Sequence, residues 1–416
     1  MLKILLLQQL FLKICLSEGI EVSMSKALVG GRIVTPFRVV NNGAIVFEDG
    51  VIHELGKVQD VKIQDNCEVI DISGYTVTPG FVDLLVHGGG GNGFADQNDD
   101  SIEKVSGYFI KNGSTTILAS LFAKPKKQLL DDLARVASFI ESHPKSNIYG
   151  IHMEGPYLNK GLKGAMNESY LWEATVESWE AMWEASKGYI KIMTIAPELP
   201  GAIAVMRAAA KRGVVLSIGH SMATYSEIEL AIDNGAAHVT HIFNAMKPFH
   251  HRDGGVILGA LLRNELKIEL IADKLHVHPA VMELLLKLKG ANGIILITDS
   301  IRAGGMHEGE YEFADQKIFM KDQKAYLPDG TLAGSTLTLN SAIRNLVDTA
   351  NAKITDAVRM ASLNGAKVLN IENRKGILAV GKDADMVVMD DNYEVVLTIM
   401  HGEIVFQKKL EKSSAS

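Results

Sequence analysis

The sequence predicts an α/β protein: a (β/α)8 barrel of the TIM type, with a small β-sandwich domain formed by the N- and C-terminal segments. Three observations predict it. Eight apolar runs alternate with helical patterns between residues 80 and 300, as the buried strands of a parallel barrel require. Short strand-like runs punctuated by Gly and Asp fill residues 25–79, and similar runs return at 375–407. The chain has 416 residues, too many for one small core and enough for a barrel plus a smaller unit.

In chain order, the first segment is MLKILLLQQLFLKICLSEGIEVS. It has a lysine and an apolar stretch, as an export signal does, but Gln8, Gln9 and Lys13 interrupt it and no clear cleavage site follows. It is also too short to span a membrane. The preferred reading is an N-terminal extension, residues 1–23, of a cytoplasmic protein. Met24 then opens the strand pattern, and residues 24–79 plus 372–410 are expected to form the small β domain. Residues 80–371 are expected to form the barrel. Its strands are GFVDLLVH (80–87), STTILAS (114–120), IYGIHME (148–154), IKIMTIAP (190–197), GVVLSIGH (213–220), AHVTHIFN (237–244), KIELIAD (267–273) and GIILITDS (293–300). Amphipathic stretches such as KKQLLDDLARVASFIESH lie between them. The last residues, EKSSAS, read as a disordered end.

Composition narrows the function. A formal net charge of -7 argues against a broad nucleic-acid footprint and leaves room for a local anion pocket. Two cysteines, Cys15 and Cys67, form neither a metal-ligand spacing nor a disulfide framework, which suits a reducing compartment.

The expected strand ends carry the chemistry. His87 ends the first run, Glu154 the third, His220 the fifth, His241 the sixth and Asp299 the eighth. In a barrel these ends meet at one face, where active sites lie. Glu154, His220 and His241 then make a divalent-metal set: two imidazoles and a carboxylate suit Zn²⁺ or a similar ion and leave a position for water. Singly, each has a plainer reading, since a strand-end histidine is usually hydrogen-bonded and a Glu before Gly-Pro can cap a turn. Their coincidence across strands favours the metal. His87 stands apart, because Leu85 occupies the position that would complete a His-x-His pair. Packing beside the ligands and ligation at a second, weak metal site are both open to it.

Asp299 is expected to take a proton from a metal-bound water and return it to a leaving amine; a hydrogen bond to a neighbouring loop is its plainer reading. HIFNAMKPFHHRDGG (241–255) gathers Lys247, His250, His251 and Arg252 beside a ligand, which points to a phosphate or carboxylate. A solvated basic loop is its plainer reading. In ADKLHVH, His276 is the nearer of two histidines to the seventh strand and is expected to contact substrate. A metal-binding pair with His278 is the alternative. Trp172, Trp179 and Trp183 have near-helical spacing and read as a packing face on the barrel or its lid rather than a sugar platform.

With these residues in view, the chain resembles the N-acetylglucosamine-6-phosphate deacetylase family of the amidohydrolase superfamily. The resemblance runs from about Met24 over nearly the whole chain. It rests on PGFVDLLVHG, GIHMEGPYLN followed by KGA, IGHS, THIFNAMKPFHHR, ADKLHVHP, ITDS, LAGSTLT and GILAVGKDADMVVMD. It implies hydrolysis of N-acetylglucosamine 6-phosphate to glucosamine 6-phosphate and acetate, in amino-sugar catabolism. One divalent metal ion per subunit is implied, Zn²⁺ first, with Fe²⁺, Mn²⁺ or Co²⁺ as alternatives. Glu154, His220 and His241 would bind it, and Asp299 would be the acid–base residue. Asn244 and Ala245 would contact the sugar phosphate and Arg252 would pair with it, in some relatives from the neighbouring subunit. Ala165, Met166, His276, Leu332, Ala333 and Gly334 would complete the substrate site. The implied protein is a cytoplasmic homodimer or homotetramer that needs neither nucleic acid nor membrane.

Two departures qualify the resemblance. Many relatives carry His-x-His where this chain has Leu85, which argues for one main metal. Many also read KGAH where this chain reads KGAM, and Met166 cannot replace the hydrogen bonds of an imidazole. Deacetylation of N-acetylgalactosamine 6-phosphate or another N-acyl amine is therefore the alternative. Cyclic-amide hydrolases commonly need the missing histidine, aminoacylases have less need of Arg252, and a decayed non-catalytic barrel would not be expected to keep the whole set.

Overall fold

The computed structural model describes residues 25–98 and 100–410. The extension expected at 1–23 and the terminal EKSSAS lie outside the described residues. Eight parallel strands form the barrel: β1 (Phe81–Val86), β2 (Ser114–Phe122), β3 (Ile148–Glu154), β4 (Ile190–Ile195), β5 (Val215–Ile218), β6 (Ala236–Val239), β7 (Lys267–Ile271) and β8 (Ile294–Ile297). Each pairs with its neighbours in sequence. All six residues of β1 and all nine of β2 are buried, because side chains fill the barrel on one face and helices cover the other.

The ring closes between β8 and β1. The backbone N–H of Asp299 donates to Leu85 O and that of His87 to Ser300 O, each at 2.9 Å. Inside this seam Asp83 accepts from the Thr298 N–H at 3.1 Å and from the Thr298 hydroxyl at 2.7 Å. Burial pushes the Asp83 carboxyl up to about 7, against the lowering effect of those bonds.

The outer helices are α1 (Asp100–Lys111), α2 (Lys126–Ser142), α3 (Val176–Ala185), α4 (Ala202–Lys211), α5 (Tyr225–Asp233), α6 (Val256–Leu262), α7 (Pro279–Lys289), α8 (Leu339–Thr349), α9 (Ile354–Ala361) and α10 (Leu363–Val368). They bury one stripe each: α1 turns Ile102, Val105 and Phe109 inward, at helical spacing. A reciprocal Thr224–Glu227 capping box starts α5. Trp179 and Trp183 lie on α3 with ring centres 5.9 Å apart, and Trp179 is fully buried. Trp172 precedes the helix, and its indole N–H donates to Lys124 O at 3.0 Å. All three therefore pack, as expected.

The two ends of the chain share an eight-stranded sheet. It contains Lys26–Val34, Val39–Glu48, Val51–Lys57, Glu68–Asp71 and Thr76–Pro79 from the first end, and Met386–Met389, Val395–Met400 and Glu403–Gln407 from the second. The join is antiparallel, Met386 facing Pro79 and Met389 facing Thr76. The sandwich is thus built from one continuous sheet whose two halves share a core of Leu28, Ile45, Ile52, Met386, Val388 and Ile399.

One element had no counterpart in the sequence reading. A three-stranded hairpin sheet (Gly309–Phe313, Gln316–Lys321, Lys324–Tyr326) stands between β8 and α8. Its tight turns carry positive φ at Ala314 and Asp315 (50° and 59°) and at Asp322 and Gln323 (51° and 61°). Such turns usually announce themselves by Asn-Gly or Asp-Gly, and neither pair occurs here.

Candidate active site and metal centre

The expected strand runs overshoot the observed strands at the chemical end. Glu154 is the last residue of β3, but His87 lies one residue past β1, and His220, His241 and Asp299 lie two past β5, β6 and β8. The cause is local. His220, His241 and Asp299 have φ of 50°, 30° and 50°, left-handed values that end a strand and are costly for residues with a Cβ. The turn swings each side chain into the mouth of the barrel.

There Glu154, His220 and His241 converge. Glu154 Oε1 lies 3.2 Å from His220 Nε2 and 3.1 Å from His241 Nε2, and the two nitrogens are 3.1 Å apart. His220 Nδ1 donates to Leu162 O at 2.8 Å, which frees Nε2 to point its lone pair inward. Nitrogens bound to one tetrahedral ion at about 2.0–2.1 Å would be about 3.3 Å apart, so the spacing fits a shared cation. The electrostatics agree. Burial opposes a charged His241 ring, yet the bond and charge of Glu154 win and push its pKa up. Burial would also raise Glu154, but His220, His241 and His87 hold it well below the usual carboxylate range. Among the described residues these three are the one group of His, Cys, Asp and Glu able to hold a metal ion.

His87 joins this group. Its Nδ1 donates to Ser120 O at 3.2 Å, and its Nε2 faces Glu154 Oε2 at 3.2 Å and Asp299 Oδ1 at 3.3 Å. Burial resists the charge, but bonds to Asp299 and Glu154 push the ring up to about 10. Of its two open readings, the geometry favours a place beside the ligands.

A cavity of about 510 Å³ opens over these residues, within the roughly 300–1,000 Å³ of small-molecule sites. Ala165, Met166, Asn244, Ala245, His276, Leu332 and Gly334 line it. Ala333 does not. It is fully buried in the hairpin cluster with Ile301, Ile318 and Leu327. Arg252 is exposed and also outside the lining, and Lys247 of the same loop pairs with Asp253. His276 is held by Asp273, with Nδ1 to Oδ2 at 2.6 Å. Burial would raise Asp273, but His276 keeps its carboxyl low. His278 instead caps α7, accepting from the Ala280 N–H at 3.2 Å, so the alternative metal pair is not formed.

Three features were missed. Phe313, at the hairpin tip, walls the cavity and stacks edge-on to His87 with centroids 5.4 Å apart. Lys160 and Lys163 line it too; the KGLKG spacing was visible in sequence, but the richer cluster at 247–252 drew the anion argument away. Glu198 ties three loops together, accepting from the Asn159 side chain at 3.0 Å, the Ser221 hydroxyl at 2.7 Å and the Met222 N–H at 2.6 Å.

The barrel and the carboxylate–imidazole cluster at its mouth are those of an amidohydrolase, and residues 76–405 match the Amidohydrolase family model. An N-acetylglucosamine-6-phosphate deacetylase of Lysinibacillus sphaericus is 37% identical, covering 85% of this chain and 92% of its own. One of Bacillus subtilis (strain 168) is 35% identical, covering 91% and 96%. The structure of a mutant N-acetyl-D-glucosamine-6-phosphate deacetylase from Mycobacterium smegmatis, in complex with N-acetyl-D-glucosamine-6-phosphate, superposes with a TM-score of 0.86 at 30% identity, covering 92% of this chain and 100% of that one. The chain belongs to the N-acetylglucosamine-6-phosphate deacetylase family of amidohydrolases. Among the described residues, no helix is long and apolar enough to cross a membrane.

Proposed function

We propose that the chain hydrolyses N-acetylglucosamine 6-phosphate to glucosamine 6-phosphate and acetate, in cytoplasmic amino-sugar catabolism. One observation carries the reading: Glu154, His220 and His241 converge in one mouth, and His87 ties Asp299 to them. These three residues would hold one divalent ion, Zn²⁺ before Fe²⁺, Mn²⁺ or Co²⁺. Such an ion, when bound, polarises the acetamide carbonyl and acidifies a water.

The chain's own groups do the rest. His87 occupies Asp299 Oδ1 and leaves Oδ2 for the proton of the attacking water. As the carbon–nitrogen bond breaks, Asp299 returns that proton to the departing amine. Asp273 steadies His276 through Nδ1, which leaves Nε2 for the substrate's acetamide end. Asn244, Ala245, Lys160 and Lys163 border the same cavity and would hold the phosphate end, where remote binding orients the reacting bond. The exposed Arg252 would reach that phosphate in a neighbouring copy, so a homodimer or larger oligomer is the proposed working form.

The deciding experiment is a panel of N-acetylglucosamine 6-phosphate, its galactosamine epimer, the unphosphorylated sugar and an N-acetyl amino acid. Acetate release fastest from the first supports the proposal. A faster galactosamine epimer would move the assignment there, with Met166 the residue to examine. Equal rates with and without phosphate would overturn the anion pocket.

A further inference from the structure

Below the mouth, the barrel holds a carboxylate that the reaction so far leaves idle. Glu269 on β7 is fully buried, and neither carboxylate oxygen has a hydrogen-bond partner among the described residues. His238 Nδ1 on β6 lies 3.8 Å from Glu269 Oε1, beyond direct hydrogen-bond range, and has no other partner there. His241 Nδ1 is likewise buried without one. The strands bring these groups together, since the Ile242 N–H donates to Glu269 O at 2.9 Å. The charge of Glu269 acts on the His241 ring.

The neighbouring polar groups need nothing more. His152 bonds Leu84 O and the Thr194 hydroxyl, both at 2.8 Å. Thr194, Thr240 and Ser217 link their hydroxyls at 2.8 and 2.6 Å. The unmatched set is therefore two imidazole nitrogens and one carboxylate, on β6, the turn that follows it and β7, each side chain at least nine-tenths buried. A bare carboxylate at such depth costs several kcal/mol or more, so native interiors satisfy such groups directly or through water. The 3.8 Å gap between the His238 imidazole and the Glu269 carboxylate is too long for a direct bond, and a polar contact of that length is where a bridging water belongs.

We propose that Glu269 is a positioning residue for the metal centre: through an internal water it takes the Nδ1–H of His241 and fixes the ring with Nε2 toward Glu154 and His220. Leu162 O does this for His220 directly; Glu269 does it for His241 at one remove, with His238 as the water's other neighbour. The inference rests on the reading of Glu154, His220 and His241 as metal ligands. Outer partners of this kind are worth about 10–100-fold in metal affinity.

The test compares wild type, Glu269→Gln and Glu269→Leu by chelator competition for Zn²⁺, with ¹⁵N-histidine NMR of the zinc-loaded protein. Glu269→Leu should bind Zn²⁺ about 10–100-fold more weakly, and Glu269→Gln, which keeps an acceptor, should recover most of that loss. The His241 Nδ1–H resonance should lie downfield in wild type and move upfield in Glu269→Gln, a shift that a purely structural role would not produce. A folded Glu269→Leu with wild-type zinc affinity, or an unmoved resonance in Glu269→Gln, would overturn the inference alone. Should the leucine variant not fold, the glutamine variant and the resonance decide. A wild-type chain that binds no Zn²⁺ would overturn the metal reading and this inference with it.

Discussion

His87 Nε2 lies 3.2 Å from Glu154 Oε2 and 3.3 Å from Asp299 Oδ1, so one imidazole joins a proposed metal ligand to the proposed proton carrier. Its other nitrogen is anchored on Ser120 O. His87→Gln should therefore disturb Asp299 more than the ion. We expect kcat to fall about 10–100-fold with close to one metal per chain retained. Loss of the metal in this variant would make His87 a ligand instead.

Asp299→Asn removes the group that accepts and returns the proton but keeps its size. The expected fall in kcat is about 10²–10⁴-fold, with metal content unchanged. Activity near wild type would remove Asp299 from the chemistry.

Arg252 is exposed and outside the cavity lining of its own chain. If it serves a neighbouring copy, Arg252→Ala should raise KM for the phosphorylated sugar and leave the unphosphorylated sugar unaffected. Mixing Arg252→Ala with Asp299→Asn should then restore part of the activity, because some sites regain both groups. No recovery on mixing, with exchange of subunits verified, would confine each site to one chain.

Asp83 supplies a pH prediction. Burial raises its carboxyl from 3.8 to about 7 despite two bonds from Thr298. A carboxyl raised by folding contributes stability that is fully present below its unfolded pKa and is lost as pH climbs through the folded one. The chain should lose on the order of a few kcal/mol from this group between pH 4 and 8. Asp83→Asn should flatten that slope and gain on wild type at pH 8 relative to pH 5. Parallel stability curves for the two proteins, by urea unfolding, would exclude Asp83 as the cause.

What the sequence made legible followed from continuity. Eight unbroken apolar runs announce buried parallel strands, and Glu154, His220, His241 and Asp299 stood out as polar residues where such runs stop. The strand ends were overestimated because positive φ at His220, His241 and Asp299 leaves no compositional mark. The hairpin that delivers Phe313 has charged residues along an exposed face and lacks glycine turns, so its alternation stayed hidden. Arg252 was legible as anion chemistry but not as a location. The bridge through His87 depends on residues 87, 154 and 299 meeting in space, and Leu85 had drawn attention to what the first strand lacks. Glu269 gave no signal either, since an acid inside the apolar run KIELIAD carries no mark of its partners until the barrel closes around it.

The sheet that joins Thr76–Pro79 to Met386–Met389 also sets an order of assembly. A ribosome delivers the first of these strands about 300 residues before the second. Until Met386–Met389 emerge, Thr76–Pro79 has an open edge immediately upstream of β1, the strand that carries Asp83 and leads to His87. Met386–Met389 therefore close the first sheet only after every barrel strand has been made. A chain halted before Met386 could pair every barrel strand and still expose the apolar face of its first sheet, an edge that invites chaperones or other chains.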